Sequence, residues 1–334
     1  AQQVWLHLAR ALLVTSRALW PTVALNAALL ALAMRALVWA LPGKDLGHIF
    51  LPAGLMLLLL CLAQSAAAQR TFGGEERLVA GREAGVCSLR QVLLGFVGKD
   101  LASLAEILLA TLCYCMAFWP EAHTFASGPD LFAIGFACLY CIWGLNFIWS
   151  VLFPPHVAML FGVTCAFLSF LFAGLKPEAS KLVDGLGGYG KLLLLASPIR
   201  WSMSHFIFRH VTGRGSTYFE GTFKDTVSWM FGQRGFRLDT VVDMRCPAAT
   251  MTVIERWRNN DGLVCHSGQL FLLGVLFRFI AAMCLLLSSS STASGGQLPL
   301  GFSSKIGSRV LRDLLYVLLA CFVVLQVLLL GETH

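Results

Sequence analysis

Residues 131–153 read LFAIGFACLYCIWGLNFIWSVLF, an apolar run that contains no charged side chain. A helix of about 20 mostly apolar residues is long enough to cross the hydrocarbon core of a bilayer, which is about 30 Å thick. We therefore predict a transmembrane helix over these residues. Further runs of this kind lie at residues 19–41, 47–68, 99–119, 156–175 and 269–287.

The composition of the whole chain agrees with this prediction. Of its 334 residues, 57% are hydrophobic and 13% are charged, whereas a soluble domain has about 25% charged residues. The net charge of +7 does not indicate nucleic acid, because Lys and Arg stand at the ends of apolar runs, as they do in membrane proteins. These values exclude a disordered chain, a nucleic-acid-binding domain and an ordinary soluble enzyme. They predict an all-α polytopic protein whose first partner is the lipid bilayer.

The charges of the connecting segments predict the orientation of the spans. Residues 69–89 contain Arg70, Arg77 and Arg82, whereas residues 120–130 contain no Lys or Arg. Because positively charged loops stay in the cytosol, we predict six spans and a cytosolic amino terminus. Residues 176–265 then lie outside, since loops longer than about 60 residues largely escape the charge rule. Within this loop the sequence predicts a re-entrant or surface helix over residues 191–211.

The segments outside the spans divide the chain further. Residues 1–18 predict an amphipathic connecting helix on the membrane face. Residues 19–287 form the predicted six-span domain. Residues 288–308 predict a Ser/Gly-rich linker, and residues 309–334 a candidate seventh transmembrane helix around an apolar run at 314–330. The chain opens at Ala1, with no small-residue cleavage site behind its first apolar run. We therefore expect no signal peptide and expect further sequence upstream.

Short motifs that resemble functional sites have simpler interpretations here. GLGGYGKL at 185–192 lacks the final hydroxyl of a phosphate-binding loop, and we interpret it as a flexible external loop. SGGQ at 294–297 is interpreted as part of the linker. His205 and His210 stand without the further histidines that a di-iron site requires. The sequence thus predicts no catalytic, cofactor-binding or metal site in this chain.

Apart from Lys99 and Asp100 at the head of one span, three charged residues lie within the predicted spans: Arg35, Glu106 and Arg278. A charge at the centre of a transmembrane helix costs about 2.5–3.5 kcal/mol. Arg35 can reach outward to the interface, whereas we expect Glu106 and Arg278 to face other helices, a cavity or each other. A translocation path and a buried ion pair that fixes helix register explain them equally well. Asn26 and Asn146 fit either interhelical hydrogen bonds or substrate contacts.

Most of the 11 cysteines lie inside predicted spans, where a thiol acts as a small apolar group. Cys138 and Cys141 form a C-x-x-C motif without the second pair that a zinc site requires. Cys246 and Cys265 fall in the external loop, where oxidation is open to them. We predict a disulfide between these two, with two free thiols as the alternative.

Residues 75–119 read EERLVAGREAGVCSLRQVLLGFVGKDLASLAEILLATLCYCMAFW. A short spacer separates two charged pairs, Glu76-Arg77 and Arg82-Glu83. Gly85 and the polar Ser88 follow, and a further charged pair, Lys99-Asp100, stands at the head of a span. This pattern resembles the membrane domain of subfamily G ABC transporters, the White/Brown-complex half-transporters. SPIRWSMSHFIF at 197–208 and GVLFRFIA at 274–281 are similar to later segments of the same family, most of all to its plant members.

The resemblance implies a six-span exporter-type membrane domain that forms a homo- or heterodimer with a second half-transporter. It also implies a nucleotide-binding domain outside this chain, which holds ATP and Mg²⁺ and supplies ATPase activity. The implied contacts with that domain are charged residues of a short cytosolic helix at 72–89: Glu76, Arg77, Arg82 and Glu83. The implied substrates are lipidic or amphipathic molecules on a path lined by the second and fifth spans, in the plasma membrane or an organelle membrane.

Other classes of function stay open at this point. A seven-span receptor would need an external amino terminus, which the loop charges oppose. A membrane-embedded metalloenzyme would need more histidine motifs than this chain contains. A non-transporting homologue that scaffolds a partner would have the same sequence features. The presence of an ATP-binding domain, either upstream or in a separate chain, would distinguish a transporter from such a scaffold.

Overall fold

The computed structural model describes residues 46–72, 89–118, 128–173, 179–213 and 266–292, together with Trp5, Ala9, Leu13, Leu32 and Arg35. The regular secondary structure in this part of the chain is helical, without strands, which confirms the all-α prediction. We number the helices in chain order: α1 (Leu46–Phe72), α2 (Leu89–Phe118), α3 (Gly128–Leu152), α4 (Pro155–Leu171), α5 (Ala179–Leu186), α6 (Gly188–Ala196), α7 (Pro198–Gly213) and α8 (His266–Thr292).

Five of these helices, α1 to α4 and α8, coincide with predicted apolar runs. Helix α2 begins at Leu89, well before the run predicted at 99–119. Helix α8 ends at Thr292, so residues 288–292, which were assigned to the linker, continue the helix. The run at 19–41 has only Leu32 and Arg35 among the described residues, and both are helical. The candidate seventh helix lies outside the described residues.

Within the part of the chain whose side chains the structure describes, two helices contain segments that are long and apolar enough to cross a membrane, judged by length and composition: Leu93–Ala117 in α2 and Gly128–Leu152 in α3. Within the same part, the apolar stretches of α1, α4 and α8 comprise Ala53–Ala68, Pro155–Leu171 and Leu270–Leu285. Two such helices are a weak indication of a membrane protein, because a buried core helix of a soluble protein meets the same criterion.

Helix α3 lies at the centre of the described bundle. In its membrane-length segment, 78% of the residues are buried, whereas 44% are buried in the membrane-length segment of α2. It packs against α1, α2, α4, α7 and α8, and its Trp143 and Phe147 are fully buried. A helix that is apolar on all sides has to be covered on all sides, and α3 obtains this cover from its neighbours.

Helices α2 and α4 run antiparallel to α3. Phe96, near the start of α2, places its ring 5.8 Å from that of Phe147, near the end of α3. Tyr114, near the end of α2, lies beside Gly135, near the start of α3. The chain then reverses at Pro154–Pro155, where a proline in the first turn of α4 suits the start of a helix.

Helices α1 and α8 run parallel to α3. The ring of Phe271, early in α8, is 4.7 Å from the Tyr140 ring, and the later Arg278 lies over Phe147. In α1, Ser65 bonds Asn146, and the earlier Cys61 contacts the earlier Cys138. The five long helices therefore alternate in direction along the chain.

This alternation places the end of α4 and the start of α8 at the same end of the bundle. Both lie near the start of α3. Helix α7 packs at this end against α1, α3, α4 and α8, with Ile199, Met203 and Phe206 fully buried. A helix was predicted over 191–211, and the observed helix is broken at Ser197, immediately before Pro198.

The motif at 185–192 is not the flexible loop that was expected. Its first residues end α5 and its last residues begin α6. Gly187 joins the two helices with a φ of 56°, a left-handed conformation that glycine adopts without steric cost. The expectation was wrong because a single glycine in this conformation makes the turn.

The outer surface of the bundle is strongly apolar. Large side chains recur at helical spacing on the exposed faces of α2, α4 and α8. They are Val97, Leu101, Leu108, Leu112 and Met116 on α2, Met159, Leu160, Phe167, Leu168 and Leu171 on α4, and Leu272, Val275, Phe279 and Met283 on α8.

Candidate functional site

A buried arginine on α8 joins three helices. The Nε of Arg278 donates to Oδ1 of Asp100 on α2 at 2.7 Å, in an ion pair. Its Nη1 donates to the carbonyl oxygens of Tyr140 on α3 at 2.7 Å and of Gly274 on α8 at 3.2 Å. The guanidinium carbon also lies 3.5 Å from the centre of the Tyr140 ring, in a cation–π contact.

Two glycines make room for this arginine. A Cβ atom on Gly144 of α3 would stand 2.8 Å from the carbonyl oxygen of Gly274 and 2.9 Å from Nη1 of Arg278. A Cβ atom on Gly274 would stand 2.6 Å from Cδ1 of Tyr140. Small residues let two helix backbones approach closely, and here the close approach brings the carbonyl oxygen of Tyr140 within reach of the guanidinium.

The burial of this ion pair is uneven. The side chain of Arg278 is 6% exposed and that of Asp100 is 21% exposed. Asp100 also lies beside the hydroxyl of Ser103, which donates to the Asp100 carbonyl oxygen at 2.6 Å. Removing one partner of a buried pair costs about 3–5 kcal/mol, because the other charge is left uncompensated. The pair joins α2 to α8, and loss of Asp100 alone would leave the buried charge of Arg278 uncompensated.

The three predicted intramembrane charges lie in different surroundings. Arg35 is helical and exposed, and Glu106 is half-buried on α2. Arg278 faces α2 and α3, which is one of the surroundings expected for it, and its ion-pair partner is Asp100. Asp100 was predicted to lie at the head of a span and was not counted among the charges inside the membrane. The apolar residues 92–97 before it were the signal that α2 begins earlier and contains Asp100 within it.

A second polar contact joins α1, α3 and α4. Nδ2 of Asn146 donates to Oγ of Ser65 at 3.0 Å, and the Ser65 hydroxyl donates to the Cys61 carbonyl oxygen at 2.8 Å. The carboxamide oxygen of Asn146 occupies the space that a Cβ atom on Gly162 of α4 would need. Asn146 is therefore an interhelical hydrogen bonder, one of the two roles expected for it. Asn26 lies outside the described residues.

The described cysteines are free thiols, and most of them are buried. Cys61 and Cys138 lie next to each other across the α1–α3 interface, and Ser202 of α7 also lies beside Cys138. Among the described residues, no group of three or more His, Cys, Asp or Glu side chains could hold a metal ion. The predicted disulfide partners, Cys246 and Cys265, lie outside the described residues.

Helix α7 is fixed to the bundle by polar contacts. Nδ1 of His205 lies 2.6 Å from Oγ of Ser267 at the start of α8, and the hydroxyl of Ser197 donates to the Ser169 carbonyl oxygen of α4. Burial lowers the pKa of the Arg200 guanidinium to about 10, so this side chain stays positively charged at neutral pH. The side chain of His210 is not among those described.

The four residues assigned to the contact with a nucleotide-binding domain, Glu76, Arg77, Arg82 and Glu83, lie between α1 and α2, outside the described residues. The site visible in the structure is thus a set of helix-joining polar contacts inside an apolar bundle. No family model, no curated protein and no solved structure matches this chain.

Proposed function

We propose that this chain is the membrane-spanning domain of an ATP-driven transporter of the subfamily G type, which exports lipidic or amphipathic molecules. It works with a nucleotide-binding domain that this chain does not contain and with a second half-transporter. The alternating direction of α1, α2, α3, α4 and α8 is the observation that supports the multi-pass part of the proposal. A chain that crosses a bilayer repeatedly must reverse its direction at each crossing.

The exposed surface supports the same placement. The apolar face of α2 extends from Val97 to Met116, which is about 28 Å along a helix and close to the roughly 30 Å hydrocarbon thickness. Contiguous apolar surface of this extent is rare on soluble monomers. In a bilayer, lipid chains cover such a surface at no cost.

The directions of the helices fit the proposed topology. With a cytosolic amino terminus, the second, fourth and sixth spans run inward, and the third and fifth run outward. Helices α1, α3 and α8 share one direction, and α2 and α4 share the other. Residues 172–265 then begin and end outside, with α7 as the re-entrant helix of that loop.

The proposed substrate path lies on the α4 side of the bundle. Of the two spans expected to line it, α1 buries Cys61, Ser65 and Ala68 against its neighbours. Helix α4 instead exposes a broad apolar face that includes Leu160 and Phe167. An amphipathic molecule between two paired domains would contact this face.

Purification of the complete protein from its membrane tests the proposal in two steps. Resistance to alkaline carbonate extraction is expected of a multi-pass protein. Vanadate-sensitive ATPase activity that lipidic substrates stimulate is then expected of the transporter together with its nucleotide-binding domain. An integral protein that neither contains nor binds an ATPase would instead be a non-transporting scaffold.

A further inference from the structure

Helix α8 has a charged residue in the middle of its apolar part. Arg278 lies halfway along Leu270–Leu285, and a charged side chain near the centre of a membrane span is costly. Helix α3, in contrast, has a segment of 25 residues with a mean hydropathy of 2.0. Because of this charge, α8 alone is poorly suited to cross a bilayer.

The contacts of α8 compensate for the charge of Arg278. Asp100 of α2 neutralises Arg278 at 2.7 Å, and the Tyr140 carbonyl oxygen of α3 accepts a hydrogen bond from Nη1. The Tyr140 ring covers the guanidinium, and Gly144 lets the two helices come close enough for these contacts. All of these partners belong to helices that precede α8 in the chain.

We propose that α8 is a conditional membrane span, which crosses the bilayer only when it docks on α3 and when Asp100 neutralises Arg278. This inference rests on the membrane part of the proposed function. The two charges are not equivalent. A carboxylate can lose its charge by accepting a proton, whereas arginine stays charged in proteins. Loss of Asp100 leaves a permanent cation in α8, whereas loss of Arg278 makes α8 more apolar.

Two engineered glycosylation acceptors in the full-length chain report the crossing of α8. Phe302→Asn creates the acceptor Asn-Ser-Ser after α8, which is cytosolic and unmodified when α8 spans. Ala248→Asn creates the acceptor Asn-Ala-Thr in the external loop, which is modified when that loop has crossed. Each acceptor is introduced separately and expressed with microsomal or cellular membranes.

With Asp100→Asn, we expect residue 302 to become glycosylated in most chains while residue 248 stays modified. With Arg278→Leu, and with the double variant Asp100→Asn/Arg278→Leu, residue 302 is expected to stay unmodified. Asp184→Asn, which removes an exposed carboxylate from α5, is the matched control and is expected to match the unaltered chain. The rescue by the double variant separates charge neutralisation from a general folding defect.

The inference is overturned if Asp100→Asn leaves residue 302 unmodified while residue 248 is glycosylated. It is also overturned if Arg278→Leu exposes residue 302 as strongly as Asp100→Asn does. If residue 248 is unmodified in the otherwise unaltered chain and the protein is extracted by alkaline carbonate, the proposed membrane topology itself fails, and the inference fails with it. The two failures are thereby distinguished.

Discussion

At the scale of single residues, the contact between Asn146 and Gly162 gives a prediction that a double-mutant cycle can measure. Asn146→Ala removes the bond to Ser65, and such bonds in membranes contribute about 0.6 kcal/mol on average. Gly162→Ala forces a Cβ atom against the Asn146 carboxamide, and overpacking of this kind costs about 1–3 kcal/mol. In the Asn146→Ala background the cost of Gly162→Ala should fall, because the blocking group is gone.

Thermal unfolding of the four proteins in detergent measures these costs. A cost of Gly162→Ala that is the same in both backgrounds would contradict the contact. The sequence could indicate that Asn146 bonds another helix, because an amide in an apolar run needs a partner. It could not indicate Ser65 as that partner, since an apolar run without strong periodicity does not reveal which helices meet. Asp100 was missed for a related reason, because the start of α2 was placed too late.

At the scale of elements, the α3–α8 interface depends on glycine at two positions. We expect Gly144→Ala and Gly274→Ala each to push the helices apart and to break the bond between Arg278 and the Tyr140 carbonyl oxygen. Gly268→Ala, on the same helix, is the matched control, since a Cβ atom there meets nothing within 4 Å. It is expected to leave stability unchanged or to raise it by up to about 1 kcal/mol, because alanine is the better helix former.

The measurement is the unfolding midpoint of each purified variant in detergent. A loss of stability in Gly268→Ala as large as in Gly144→Ala would argue against the close crossing. The positions of α1, α3, α4 and α8 were predicted to within a few residues, because apolar runs determine where such helices form. The loop charges predicted which end of each span faces the cytosol, and that topology stays a prediction. The packing order around α3 could not be predicted, because it depends on side-chain fit between distant segments.

At the scale of the whole molecule, the described helices form a packed bundle around α3. Its polar contacts hold helices together, at Arg278 and at Asn146, and its apolar surface faces outward. In the proposed transporter, the energy comes from a nucleotide-binding domain. The proposed contact with that domain lies in the sequence between α1 and α2, on the cytosolic side of the proposed topology.

If that contact transmits force, reversal of its charges should uncouple the two domains while the membrane fold stays intact. We expect Arg82→Glu or Glu83→Arg to lower the vanadate-sensitive ATPase of the complete transporter by several-fold, because each replaces an attractive pair with a repulsive one. Lys181→Glu, on the opposite side in the proposed topology, should leave the rate unchanged. Carbonate resistance of all three variants shows that insertion is intact. An unchanged ATPase rate in both contact variants would mean that these charges mark only the cytosolic side, as the positive-inside rule alone requires.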